Sequence, residues 1–220
     1  MRKKAVPVGI EDFKELIQEG YYYIDKTLLI DEMLMNKSKV TLFTRPRRFG
    51  KTLNMSMLRY FFDVKDKEEN KKLFENLKIY NSEYMSEQGK YPVIFISLKD
   101  LKGNTWEENF MLIKKHIKNL YMEFYDLKDK LNPIFKNDFE KIVMEKEEAD
   151  WIYSLKNLSN YLYEYYRKSV IILIDEYDKP ILDNITDPAM RNYARNMLKG
   201  LYEHIKYNDE YVRFAFLTGE

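Results

Sequence analysis

The sequence predicts an α/β fold in which a parallel sheet lies between two layers of helices. Three observations support this prediction: short, uniformly apolar segments, amphipathic helical patterns between them, and no Pro/Gly/Ser-rich linker. Uniformly apolar strands are typical of parallel sheets whose two faces are covered, and strands alternating with helices imply right-handed crossovers. The predicted strands are 40–44, 93–97, 170–174 and 212–217. We therefore expect one three-layer domain over residues 1–220.

Helical periodicity fills the segments between these strands. Apolar residues recur at helical spacing in three stripes, namely Leu53, Met57, Leu58 and Phe61; Trp106, Phe110, Ile113, Ile117 and Tyr121; and Leu155, Leu158, Leu162 and Tyr165. A further helix is predicted from Asp187, because an Asp cap followed by Pro188 is a favourable helix start. The polar segment 63–91 shows no pattern that assigns it an element.

The composition excludes several classes of function. Lys and Arg number 37 against 36 Asp and Glu, and this balance argues against a protein that mainly coats nucleic acid or an anionic membrane. The absence of cysteine excludes disulfides, thiolate metal sites and thiol catalysis. No apolar run is long enough to span a bilayer, and no signal-peptide core follows the basic N-terminus. We expect a cytoplasmic location and no membrane partner.

A phosphate-binding loop is predicted directly after the first strand. The segment 45–52 matches the Walker A pattern G-x-x-x-x-G-K-[ST] at Gly50, Lys51 and Thr52, while Arg45 replaces the opening glycine. A glycine there lets backbone N–H groups point at phosphate oxygens beside a helix N-terminus. The lysine can bridge the β- and γ-phosphates, and the threonine hydroxyl can bind Mg²⁺. The alternative is a plain basic loop that caps a helix.

The residues around this triplet complete a predicted nucleotide-binding set. Its members are Arg47, Arg48, Phe49, Gly50, Lys51, Thr52 and Leu53. The arginines of the loop are either additional phosphate contacts or a solvated basic edge, and the sequence leaves both interpretations open.

An acidic pair ends the third strand. Asp175 and Glu176 follow four apolar residues, as in a Walker B motif, and carboxylates there are costly unless solvated, paired or metal-bound. We expect Asp175 to hold Mg²⁺ through water and Glu176 to orient or deprotonate the attacking water. The alternative is a strand that merely reaches solvent. The two motifs would meet at the carboxyl edge of one parallel sheet, where open α/β sheets bind ligands.

The number of strands between the motifs indicates a P-loop NTPase of the additional-strand type. One strand, 93–97, lies between them in the sequence, and we expect it to separate the Walker A and Walker B strands in the sheet. The fourth strand is followed by Thr218, which is either a sensor of the γ-phosphate or water, or a turn residue. The predicted catalytic residues are therefore Glu176, Lys51 and Thr218, and the predicted metal ligands are Thr52 and Asp175.

The chain resembles the AAA-ATPase-like family of bacteria and archaea, whose members commonly carry a C-terminal nuclease-like domain of the PD-(D/E)XK type. The segments that carry the resemblance are 8–10 with Phe13, 23–27, 43–52, 174–180 and 216–219. The resemblance implies an ATP-binding domain, and it accounts for Arg45 because the family's loop has arginine there too.

The resemblance also implies that the chain is incomplete. Family members are longer, so we expect a fragment that lacks a fifth strand, a helical lid and the nuclease-like domain. The missing strand would lie beside 40–44 and leave that strand with an unpaired edge.

Residues upstream of the first strand often line the adenine pocket in related ATPases. Tyr22, Tyr23, Ile24 and Lys26 are therefore candidates for contacts with the base. The alternative is a short strand in which Asp25 or Thr27 caps the next helix. Arg191 and Arg195 are either arginine fingers or surface residues.

The predicted function is ATP binding and Mg²⁺-dependent ATP hydrolysis. One alternative is a nucleotide-gated switch with little turnover, and another is an ATPase module coupled to a nuclease-like domain that acts on nucleic acid. The oligomeric state stays open, a homo-oligomer included.

Overall fold

A four-stranded parallel sheet forms the centre of the computed structural model, which describes residues 4–46, 48–101, 103, 105–179, 188, 192, 195, 199 and 210–219. The strands are β1 (Val40–Thr44), β2 (Val93–Ser97), β3 (Val170–Asp175) and β4 (Val212–Gly219). All neighbouring strands pair in parallel. The predicted strands and the parallel sheet are confirmed, and the last two strands extend to Asp175 and Gly219.

The strand order is β1-β4-β3-β2, which corrects one prediction. The segment 93–97 does not separate the Walker A and Walker B strands; it lies at the sheet edge beside β3, and β4 takes the place between them. Burial explains this order. All of β3 is buried and β4 is buried except at Arg213, so these strands gain most from partners on both sides, whereas β1 and β2 keep partly exposed residues.

Helices pack on both faces of the sheet. Their bounds are α1 (Phe13–Gln18), α2 (Leu28–Asn36), α3 (Lys51–Phe62), α4 (Lys67–Lys72), α5 (Trp106–Met122), α6 (Pro133–Val143) and α7 (Ser154–Tyr166). The first four helices contribute to one apolar cluster or pack beside it, and the last three line the cluster on the other face. The three-layer arrangement is thereby confirmed for the described residues.

The segment 63–91, to which the sequence assigned no element, contains α4 and two short 3-10 helices at Lys78–Asn81 and Glu83–Glu87. It packs through Leu73, Phe74 and Ile79 on the cluster that contains α3. Its regular elements are too short to produce a visible periodicity.

The first strand is less covered than predicted. Among the described strands, β4 alone pairs with it, and its side chains alternate between exposed and half-buried, with Val40 at 41% and Leu42 at 52% exposure. The expectation that all four strands are covered on both faces is therefore wrong for β1. Within the part of the chain that the structure describes, β1 lies at an edge of the sheet, and the missing fifth strand stays a prediction.

The helix predicted from Asp187 lies mostly outside the described residues. Pro188, Asn192, Arg195 and Lys199 are helical, whereas Arg191 is not among the residues that the structure describes. None of the described helices combines the length and apolar character that crossing a bilayer requires.

Candidate functional site

The phosphate loop joins the carboxyl end of β1 to the first turn of α3. Arg48 and Gly50 both adopt left-handed backbone conformations, with φ of 68° and 75°. Gly50 is the N-cap of α3 and offers no capping side chain, and its carbonyl accepts the N–H of Asn54 at 3.0 Å. Left-handed residues at a helix N-terminus turn backbone N–H groups into a concavity that suits an anion. The backbone here therefore has the form of a phosphate-binding loop.

Lys51 crosses from this loop to the end of β4. Its side chain is almost fully buried, and its ammonium donates to the carbonyl of Arg45 at 2.6 Å and to that of Gly219 at 3.0 Å. An ammonium group has three donors, so two of them hold the loop against the neighbouring strand. The lysine is thus placed inside the loop, where it is predicted to meet phosphate.

Asp175 connects three elements at the carboxyl edge of the sheet. Its side chain is fully buried at the end of β3, and its two oxygens each accept a hydroxyl hydrogen bond, from Thr52 at 2.9 Å and from Thr218 at 2.5 Å. No ion pair to this carboxylate occurs among the described residues. A buried carboxylate without a cationic side chain is costly, and a metal ion offsets that cost.

The donor set at this point fits magnesium. Mg²⁺ prefers oxygen ligands, keeps several waters, and is usually bound through one or two carboxylates together with substrate phosphates. The Thr52 hydroxyl donates a hydrogen bond to Asp175, and the lone pairs on its own oxygen stay available to a metal ion. The described residues contain no group of three or more carboxylate, imidazole or thiol side chains that could cage a metal. The pair suits an ion whose remaining ligands come from phosphate and water.

The chain turns sharply after β3 at Glu176. This residue has a left-handed φ of 52°, a conformation that costs a non-glycine residue about 1–2 kcal/mol. Its N–H donates to the Thr218 hydroxyl at 3.4 Å, and the N–H of Tyr177 donates to the Thr218 carbonyl at 3.0 Å. Thr218 lies within β4 rather than in a turn, and it contacts both members of the acidic pair. Backbone strain of this kind is concentrated at functional sites.

Gly219 is a site residue that the sequence analysis missed. A Cβ atom added there would stand 2.6 Å from Cε1 of Tyr177 and 2.8 Å from Oδ2 of Asp178. Its carbonyl also accepts the Lys51 ammonium. A side chain at position 219 would therefore require the side chains of Tyr177 and Asp178 to move. The available signal was a glycine that directly follows the predicted sensor threonine.

The structure brings together five predicted site residues: Lys51, Thr52, Asp175, Glu176 and Thr218. The rest of the predicted set lies in the loop and the first turn of α3. Arg48 and Gly50 shape the loop, Phe49 is 58% exposed, and Leu53 packs beside the apolar cluster instead of facing the loop. Arg47 lies outside the described residues.

The candidates for adenine contacts have different environments. Tyr22 and Ile24 are more than half exposed, whereas Tyr23 is half-buried and packs edge-on against Phe13, with 5.5 Å between ring centroids. Residues 21–26 form no strand, which excludes the short strand that was the alternative. The Asp25 carboxylate accepts the N–H of Thr27 at 2.9 Å, close to the start of α2. Thr27 is the N-cap of α2, but its side chain accepts no hydrogen bond from the first turn of that helix.

A separate cavity of about 540 Å³ lies at the opposite, amino edge of the sheet, lined by residues that include Lys39, Tyr84 and Arg213. It contains none of the predicted site residues. Ligands of open α/β sheets bind at the carboxyl ends of the strands, and the predicted phosphate loop and Asp175 lie at that edge.

The fold and this site define a P-loop-like α/β domain. Residues 7–220 match the AAA-ATPase-like family, which is described as "Predicted AAA-ATPase", and the chain therefore belongs to that family. Family membership indicates ATP as the ligand in general terms. A protein of Azotobacter chroococcum mcd 1, named "Uncharacterized protein in vnfD 5'region", is 30% identical over 221 residues. The alignment covers 100% of this chain and 38% of that relative, so the chain spans less than half of its length. No solved structure matches the chain significantly.

Proposed function

We propose that this domain binds ATP with Mg²⁺ at the phosphate loop. Water then cleaves the bond between the β- and γ-phosphates, and ADP and phosphate leave. The observation that carries the proposal is the 2.9 Å hydrogen bond from Thr52 to the buried Asp175. This bond joins Thr52, which follows the loop lysine, to Asp175, the carboxylate of the predicted Walker B motif. Both lie at the carboxyl edge of the sheet, where open α/β sheets bind ligands. The packing of the apolar core does not by itself account for a threonine hydroxyl and a carboxylate at this position.

The charge around the loop supports a polyanionic ligand. Arg45, Arg48 and Lys51 lie close together in the chain, and none forms an ion pair with any described residue. Arg45 instead stacks over the ring of Phe43 at 5.1 Å and donates to the Thr44 carbonyl at 3.2 Å. Like charges held together without carboxylates favour a bound anion. A triphosphate supplies that charge.

Each side chain has a separate role in the proposed reaction. Lys51 exchanges its carbonyl partners for phosphate oxygens, and Thr52 with Asp175 would hold Mg²⁺. The ion, when bound, neutralises charge that develops on the phosphate oxygens. Glu176 orients the attacking water or accepts its proton. The Thr218 hydroxyl donates to Asp175 and accepts from the N–H of Glu176, and it thereby fixes the two residues relative to each other.

Single-turnover hydrolysis tests the proposal. Wild-type protein and the Glu176→Gln variant are mixed with substoichiometric radiolabelled ATP and Mg²⁺, and nucleotide binding is measured in parallel. We expect the variant to bind ATP within a few-fold of wild type and to hydrolyse it at least about 100-fold more slowly, since general-base catalysis contributes that much. Glu147→Gln, at an exposed position after α6, is the matched control.

Three outcomes bear on the functions under consideration. Equal turnover in wild type and Glu176→Gln contradicts the role given to Glu176. Tight Mg²⁺-dependent binding with no turnover in wild type supports the nucleotide-gated switch instead. Turnover that rises on addition of DNA or RNA supports coupling to a nuclease-like domain.

A further inference from the structure

A second lysine stands beside the phosphate loop. The Nζ atom of Lys26 lies 3.8 Å from the position that a Cβ atom on Gly50 would occupy. The Lys26 side chain is exposed and forms no ion pair with any described residue. This ammonium is contributed by the segment before α2, so it approaches the loop from outside the β1–α3 connection.

The residues on the N-terminal side of Lys26 hold it in place. The hydroxyl of Tyr23 accepts the N–H of Lys26 at 3.2 Å and donates to Sδ of Met57 at 3.5 Å. The Tyr23 ring also packs against Phe13. Because Met57 belongs to α3, the backbone of Lys26 is tied to the helix that follows the phosphate loop.

Asp25 and Thr27, the two residues that flank Lys26, are also held by hydrogen bonds. The Asp25 carboxylate accepts from the N–H and the hydroxyl of Thr27, at 2.9 and 2.7 Å, and from the N–H of Lys78 at 2.8 Å. The fully buried Thr27 hydroxyl accepts the N–H of Ile79 at 3.1 Å. Burial would raise the pKa of Asp25, but these hydrogen bonds outweigh burial and lower it, so the carboxylate stays charged. Lys26 therefore projects from a segment that is anchored at both ends.

The Lys26 ammonium adds one more cation beside a loop that already carries Arg48 and Lys51. An anchored, exposed ammonium at that position gains when an anion lies in the loop, because charge-assisted hydrogen bonds to phosphate are strong. A base contact, the role that the sequence suggested for Lys26, makes no use of the charge.

The geometry points to Lys26 as a second phosphate-binding lysine, which contacts the polyphosphate of the bound nucleotide from the α2 side of the loop. The inference rests on the proposed function and extends it: it assigns the segment before α2 to the phosphates rather than to the base. Tyr23 acts as a positioning residue through its hydrogen bond to the Lys26 N–H.

Competition binding with two probes tests the assignment. ATP and inorganic tripolyphosphate, which has no base or ribose, each displace a fluorescent ATP analogue from wild type and from Lys26→Met. We expect both affinities to fall by a similar factor, about tenfold, which is typical for loss of a charged hydrogen bond. Lys26→Arg should recover most of the loss. Lys146→Met, an exposed lysine after α6, should leave both affinities unchanged.

The role of Tyr23 is tested in the same assay. Tyr23→Phe should weaken tripolyphosphate binding less than Lys26→Met does, because it frees the lysine without removing it. It should have no further effect in the Lys26→Met background. An unchanged thermal midpoint of Lys26→Met shows that the exposed side chain is not needed for folding.

The contrary outcomes are distinct. A loss of ATP affinity without a loss of tripolyphosphate affinity overturns the inference, because it assigns Lys26 to the base or ribose. Unchanged affinities in Lys26→Met, with binding still abolished in Lys51→Met, overturn it and leave the proposed function intact. A wild-type protein that binds neither probe overturns both.

Discussion

The hydroxyl of Thr52 donates a hydrogen bond to Asp175 across 2.9 Å, although 123 positions separate the two residues in the chain. The bond joins the first turn of α3 to the end of β3. Thr218 at the end of β4 holds the other oxygen of the same carboxylate. Three elements therefore fix the position of one buried charge. The proposed site is preorganised in this way, so that little rearrangement is needed when a metal and phosphate bind.

Asp175→Asn should remove the Mg²⁺ dependence of ATP binding. The amide keeps the size of the side chain and can still meet the two hydroxyls, but it lacks the charge that attracts the ion. We expect the affinity for Mg²⁺-ATP to fall by roughly 10- to 100-fold, as for changes in groups that support a metal site. Titrations with ATP in the presence of Mg²⁺ and of EDTA measure this. Asp129→Asn, which only breaks an exposed ion pair with Lys136, is the control. Retained Mg²⁺ dependence would contradict the assignment of Asp175.

Lys51→Met should lower both nucleotide affinity and stability. The thioether side chain cannot bind phosphate, and it leaves the carbonyls of Arg45 and Gly219 without the ammonium that they share. The Gly219 carbonyl is buried, and a buried acceptor that loses its partner costs about 1–3 kcal/mol in the free energy of unfolding. Urea denaturation and ATP titration check the two effects separately. A variant as stable as wild type would show that the lysine does not tie the loop to β4.

Thr218→Val should slow hydrolysis more than it weakens ATP binding. Valine fills the same buried space but removes the hydroxyl that donates to Asp175 and accepts from the Glu176 N–H. We expect the free energy of unfolding to drop by about 1–3 kcal/mol, because a buried oxygen of the Asp175 carboxylate loses a partner. Thr218→Ser keeps the hydroxyl and should restore turnover. Equal rates for the Val and Ser variants would argue against a role for this hydroxyl.

Asp63→Asn should change how stability depends on pH. Burial at the end of α3 raises the pKa of the Asp63 carboxyl from 3.8 to about 6, and the Lys65 N–H offsets only part of that rise. A carboxyl with a raised folded-state pKa favours the fold below its unfolded pKa, and this contribution is lost as the pH rises through about 6.

Above pH 6, the Asp63→Asn variant should therefore be more stable than wild type by up to about 3 kcal/mol, the free-energy equivalent of a shift of this size. Below pH 4 the difference should vanish. Urea unfolding between pH 3.5 and 7.5 measures it, with Glu147→Gln, at an exposed position, as the control. A difference independent of pH would show that the wild-type carboxyl does not titrate in this range.

The strands and the two motifs were predictable because each depends on residues that are close in the chain. The bounds of β1 and β2 follow from short apolar runs. The stripe that begins at Trp106 forms α5, and the stripe that begins at Leu155 forms α7. The phosphate loop was recognisable because a strand, a Gly-Lys-Thr triplet and an amphipathic helix are consecutive. Tyr165 is an exception: it continues the apolar spacing of α7 but is 47% exposed.

The strand order could not be read in the same way. Any of the apolar runs could serve as the neighbour of β1, and the choice depends on which strands gain most from being enclosed. The run 93–97 was placed between the two motif strands, whereas β4 lies there and brings Thr218 and Gly219 to Lys51 and Asp175.

By itself, the sequence specifies the elements and the chemical groups of this domain, since periodicity and motif spacing are local properties of the chain. Tertiary structure alone decides which groups meet: the two hydroxyls on Asp175, Gly219 against the side chains of Tyr177 and Asp178, and the ammonium of Lys26 beside Gly50. The physical reason is that hydrogen bonds, close packing and charge act over a few ångströms in space, whatever the separation of the residues along the chain.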